Sequence, residues 1–190
     1  MKSLQLIITF ITLFIAIGAV RGEERSKTLI CNQAVEKFLS DPGEQSLKVL
    51  EIQGNNACWP VVDSTNDRLN RLFALVEKGD VWSSKYLTMH LNKLDGGNLE
   101  DGLIALGQFS DHHPAGLLEL AKNGYLSDRY LSAALTMLPL SLSDDPAAQL
   151  KAMRDRRNRI AAVGENGLKD ERLKGLKSID AFIEEIDVHK

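Results

Sequence analysis

Apolar side chains recur every three or four positions along most of the chain, which is the spacing of one face of an α-helix. The residues that form these stripes between 65 and 160 are Leu69, Leu72, Phe73 and Val76; Tyr86, Leu87, Leu91 and Leu94; Leu99, Leu103, Leu106 and Phe109; Leu117, Leu118 and Leu120; Leu131, Ala134, Leu135 and Leu138; and Leu150, Met153 and Ile160. No segment alternates apolar and polar residues convincingly, as a half-buried strand would. The pattern therefore predicts an all-α protein.

Turn residues separate these stripes and predict where the helices end. The predicted stops are Gly79-Asp80, Gly96-Gly97, the segment 110–114, Asn123-Gly124 and Pro139. Asp144 or Asp145 is expected to cap the next helix, with Pro146 in its first turn. Beyond Gly164 we expect a short helix and then a last helix capped by Ser178. Their inward residues are predicted to be Leu168, Leu173 and Leu176, followed by Ile179, Phe182, Ile183 and Ile186.

The first 22 residues have the composition of a secretory signal peptide. A basic Lys2 precedes the apolar run from Leu6 to Val20, and Gly22 precedes a cut before Glu23. An uncleaved anchor is the alternative, but a spanning helix needs roughly 20 apolar residues and this run is shorter. We therefore predict a signal peptide over 1–22, a single helical domain over 23–190, a periplasmic or secreted location and no stable membrane insertion after cleavage.

Cys31 and Cys58 are the only cysteines of the chain. In an exported protein an even pair is expected to form a disulfide, and the alternative is two buried free thiols. The bond would flank a predicted hairpin of helices over 28–40 and 44–53, whose turn contains Pro42 and Gly43. Closing that loop is worth about 3 kcal/mol in the free energy of unfolding.

The charge of the chain argues against nucleic acid as the partner. The net charge is −3, and removal of residues 1–22, which carry Lys2 and Arg21 and no acid, makes it −5. A general nucleic-acid binder is normally basic. The one dense basic segment runs from Lys151 to Arg159, and we interpret it as a solvated helix face paired with acids of the last helix rather than as an anion site.

No familiar catalytic motif occurs, so no catalytic residue, metal ligand or cofactor is predicted. The sequence lacks G-x-S-x-G, the P-loop, G-x-G-x-x-G and H-E-x-x-H. His112 and His113 beside Asp111 would suit metal binding or proton transfer. Adjacent residues in a loop rarely present both rings to one ion, so we interpret this cluster as a polar turn before Pro114.

Two segments of the chain resemble one another at a spacing of about 45 residues. The segment 72–87 (LFALVEKGDVWSSKYL) resembles 117–131 (LLELAKNGYLSDRYL), with Gly79 aligned on Gly124. With the short loops, this period makes residues 65–160 resemble a small HEAT-type array. The resemblance implies a right-handed, solenoid-like array of antiparallel helical hairpins.

Antiparallel helices send alternate loops to opposite edges of such an array. The turns at 79–80, 110–114 and 139–146 are then expected to share one edge. Repeat arrays bind proteins with such edges, and an acidic edge favours a basic protein partner. The predicted partner-binding residues are Asp80, Asp111, His112, His113, Asp144 and Asp145.

A small exported helical protein with one disulfide and no catalytic motif resembles the periplasmic immunity proteins of bacteria. That resemblance implies a protein that binds and blocks a toxic effector, such as one delivered by a type VI secretion system. Two alternatives stay open: an enzyme with its site around His112 and His113, and a structural or assembly adaptor. The sequence predicts neither the identity of the partner nor the oligomeric state.

Overall fold

A computed structural model describes residues 27–52, 58–164 and 167–188 of the 190-residue chain. The described residues form helices joined by short turns, without a strand, so the predicted all-α class is confirmed for them. They divide into two compact units, residues 27–65 and residues 66–188. The predicted signal peptide over 1–22 lies outside the described residues, and the single domain over 23–190 stays a prediction.

The first unit contains a helical hairpin and a short third helix. Helix α1 spans 27–40, α2 spans Glu44–Ile52 and α3 spans Trp59–Asp63. The predicted disulfide is present, with the Cα atoms of Cys31 and Cys58 5.0 Å apart and both residues buried. It joins α1 to the residue that precedes α3.

The core of this first unit differs from the predicted stripe at one position. Val35, Phe38, Leu47 and Leu50 are buried as the spacing predicts. The helical spacing over 28–40 also predicts an inward Leu29, yet its side chain is 60% exposed. It lies in the first turn of the described part of α1, two residues before Cys31 of the disulfide.

The second unit contains seven α-helices and two short 3₁₀ segments in its described residues. The α-helices are α4 (Asn66–Glu77), α5 (Val81–His90), α6 (Gly96–His112), α7 (Pro114–Lys122), α8 (Asp128–Thr136), α9 (Pro146–Ala161) and α10 (Lys169–Val188). The 3₁₀ segments are Leu91–Lys93 and Leu140–Leu142. In space α6 packs against α4 and α8, and α10 packs against α8 and α9. Helix α7 contacts both α5 and α9.

Local sequence explains where these helices begin. The carboxylate of Asp80 accepts a hydrogen bond from the Ser83 amide at 2.6 Å, and that of Asp145 accepts one from the Ala148 amide at 2.9 Å. Each side chain thereby satisfies an amide that has no partner within its helix. Of the two predicted caps for α9, Asp145 is the one used.

Glycines end α4 and α7 in the same manner. After α4, the Gly79 amide donates to the Val76 carbonyl and the Asp80 amide to the Leu75 carbonyl, with Gly79 at a φ of 91°. After α7, Gly124 has a φ of 76° and donates its amide to the Ala121 carbonyl, and the Tyr125 amide donates to the Leu120 carbonyl. This is the glycine-dependent Schellman ending. Gly79 and Gly124, which align between the similar segments 72–87 and 117–131, therefore have the same structural role.

The break between α6 and α7 is narrower than predicted. The sequence predicts a turn over 110–114, whereas α6 continues to His112 and α7 begins at Pro114. His113 alone leaves the helical region, with φ −132° and ψ 67°. The residue before a proline is driven away from helical angles, and proline itself suits a first helical position.

Two further boundaries differ from prediction. Gly96 and Gly97, predicted to end a helix, begin α6 instead, because Leu94 and Asp95 have extended backbones that already make the break. The last two predicted helices are one helix, α10, and Ser178 does not cap it. The Ser178 hydroxyl donates to the Lys174 carbonyl at 3.1 Å, a bond that allows serine inside a helix.

Candidate binding site

The predicted acidic residues mostly hold the second unit together. Asp80 and Asp145 cap helices α5 and α9, as described above. Asp144, one residue before the α9 cap, is exposed. The carboxylates of Asp80 and Asp145 therefore interact favourably with the N-termini of α5 and α9.

Asp111 forms ion pairs with two arginines of α9. Its carboxylate accepts from Nε and Nη2 of Arg156 at 3.1 and 2.9 Å and from Nη1 of Arg159 at 3.1 Å. Arg156 is only 1% exposed, and its Nη1 also donates to the carbonyls of Leu135 and Met137 at 3.0 and 2.8 Å. Asp111 thus neutralises a buried guanidinium that fastens α6, α9 and the end of α8 together.

The acidic residues do not form one cluster. Asp111 binds Arg156 and Arg159 in the second half of α9, whereas Asp144 and Asp145 precede its first residue. A helix rises 1.5 Å per residue, so the eleven positions from Asp145 to Arg156 span about 16 Å. Asp111 and the pair at 144–145 therefore lie at separate places along α9.

The structure does bring together the turns that contain Gly79 and the two histidines. A Cβ atom on Gly79 would lie 3.1 Å from the Nε2 of His113 and 3.2 Å from the Cβ of His112. Both histidines are exposed, and the His113 ring lies 5.5 Å from the ring of Phe109. We call residues 79–80 and 112–113 the paired turns. Among the described residues no group of three or more His, Cys, Asp or Glu side chains is arranged to hold a metal ion.

A surface cleft of about 590 Å³ adjoins the paired turns and lies between α5 and α7. Val81 and Trp82 follow Asp80 directly, and Phe109, the ring partner of His113, also lines the cleft. We call it the α5–α7 cleft. Its lining residues are Val81, Trp82, Lys85, Phe109, Gly116, Glu119, Leu120, Asn123 and Tyr125.

The lining of this cleft is apolar and aromatic, with two opposite charges. Phe109 and Leu120 are buried, while Val81 and Tyr125 keep 48% and 37% of their surface exposed. The Lys85 ammonium lies 5.1 Å from the centre of the Tyr125 ring, a cation–π distance. Glu119 is exposed on α7. Concave apolar surface with a few polar groups is typical of binding sites.

Sequence reasoning missed this cleft because its residues come from turn ends and off-stripe positions. Tyr125 follows the glycine ending of α7, and Val81 and Trp82 occupy the first turn of α5, ahead of its inward stripe. The available signal was the apolar pair Val81 and Trp82, directly after the predicted helix end at Gly79-Asp80. That the two helices face each other follows only from tertiary packing.

The basic segment of α9 is paired with acids, as the sequence interpretation predicts. Arg154 binds Asp187 and Arg157 binds Asp180, both on α10, and Lys151 binds Asp155 within α9. The hydrogen bond that Lys151 donates lowers the pKa of the Asp155 carboxyl, and the hydrogen bond that Arg157 donates to Asp180 raises the pKa of the Arg157 guanidinium. The burial of Arg156 inside this segment was not predicted.

His90, the remaining histidine of the helices, lies in the core rather than in a site. It is 3% exposed, its Nδ1 lies 2.9 Å from the Tyr86 carbonyl oxygen, and its ring lies 4.6 Å from the Tyr86 ring. The neighbouring Tyr86 and Leu91 are predicted core positions, and both are buried. His90 therefore supports packing of α5.

No described helix combines the length and the apolar composition needed to cross a membrane. The described cysteines are oxidised as one buried disulfide.

No protein-family model matches the chain, and no curated protein or solved structure is significantly similar to it.

Proposed function

We propose that this chain is an exported binding protein that neutralises a toxic protein effector. The effector docks on the paired turns and the adjoining α5–α7 cleft. The observation that carries this proposal is that the paired turns and the cleft form one continuous surface. The exposed His113 packs against the Phe109 ring, which lines the cleft. Val81 and Tyr125 are partly exposed at the rim of the cleft. A polar rim around an apolar centre is the usual anatomy of a protein interface.

Most of the predicted acidic residues of the second unit have structural partners, which favours docking through the apolar cleft rather than through an acidic edge. Asp80, Asp111 and Asp145 each make hydrogen bonds or ion pairs that stabilise the fold. The acidic net charge of the chain still attracts a basic effector over long range. The affinity for the effector then comes from contacts in the cleft, and the acidic side chains of the chain raise the association rate.

The proposal includes an array of antiparallel helical hairpins in the second unit. Its support is the packing order, because α4 contacts α6, α6 contacts α8 and α8 contacts α10, while α5 contacts α7 and α7 contacts α9. Two rows of this kind are expected of a HEAT-like array. Such arrays bind proteins along surfaces formed by neighbouring repeats, and the α5–α7 cleft lies between two helices of one row.

Export is the other part of the proposal. The apolar run of residues 6–20 supports a signal peptide, and the disulfide supports an oxidising compartment, the periplasm or the exterior. An immunity protein against an effector that acts outside the cytoplasm has to be present there.

A competition assay between sibling strains tests the proposal. A strain that lacks the gene is expected to be killed by its parent in contact, and the full chain is expected to protect it. The same chain without residues 1–22 is the matched control, since it stays in the cytoplasm and meets no exported effector. Survival of the unprotected strain, or equal protection by the truncated chain, would contradict the proposed function.

A further inference from the structure

We draw no further inference here: the strongest candidate, the exposed apolar surface that Leu29 and Ile30 of α1 and Val49 and Ile52 of α2 give to the first unit, carries none, because nothing in the structure shows what covers it.

Discussion

At the residue scale, the buried Arg156 is the feature that most changes the interpretation of the sequence. Read along the chain, it is one cation among several in a basic helix. In the structure it is 1% exposed and binds the Asp111 carboxylate and the last carbonyls of α8. A buried guanidinium is tolerated only when a carboxylate and hydrogen-bond acceptors surround it. Asp111 is therefore the structural counter-charge of Arg156.

Removal of the Asp111 carboxylate should destabilise the protein. Asp111→Ala leaves Arg156 buried without its counter-charge, so we expect the free energy of unfolding in urea to fall by about 3 kcal/mol. Asp144→Ala is the matched control, because Asp144 is exposed, and its effect should be within about 0.5 kcal/mol. Equal effects of the two substitutions would show that the ion pair contributes nothing.

Gly107 should resist even the smallest substitution. Its Cβ atom would lie 2.6 Å from the carbonyl oxygen of Ala134 and 3.1 Å from Nη1 of Arg156. Gly107→Ala is expected to cost about 1–3 kcal/mol, although alanine normally favours a helix. Gly97→Ala in the same helix has open space around its Cβ and should be neutral or stabilising in the same thermal unfolding experiment.

At the element scale, periodic spacing predicted most helices, and it failed where local backbone chemistry decides a boundary. The predicted stripe of α4 is buried throughout, since an apolar face packs against the core. Of the stripes predicted around α6 and α8, Leu99 and Leu138 are only half-buried, and the other members are buried. The continuous α10 was predicted as two helices because Ser178 resembles a cap. Whether a serine hydroxyl caps a helix or bonds to its own preceding turn depends on the neighbouring backbone, which the sequence pattern does not encode.

The disulfide should stabilise the first unit in proportion to the loop that it closes. Cys31→Ala is expected to lower the free energy of unfolding by about 2–4 kcal/mol, and Cys31→Ala with Cys58→Ala by little more. A reducing agent should produce the same loss in the wild type and no change in the double variant. Unchanged stability of the wild type on full reduction would contradict this account.

At the scale of the whole molecule, the sequence predicted the all-α class and the disulfide but only part of the candidate site. It placed Gly79, Asp80, His112 and His113 near one another, and the structure brings these turns into contact. It missed the cleft, because Trp82, Gly116 and Tyr125 come from separate elements that meet only through the packing of α5 and α7. Hydrophobic periodicity predicts which face of a helix is buried. It does not predict which apolar residues line a surface cleft between two helices.

The central claim is that the chain acts by stoichiometric binding, and one titration tests it most directly. The activity of the effector against which the chain protects cells is measured while the purified chain is added. Binding predicts a linear loss of activity that is complete at a fixed molar ratio, weakened by Trp82→Ala and unchanged by Leu140→Ala. Neutralisation of many effector molecules by each chain, abolished by His112→Ala with His113→Ala, would instead identify an enzyme and contradict the account.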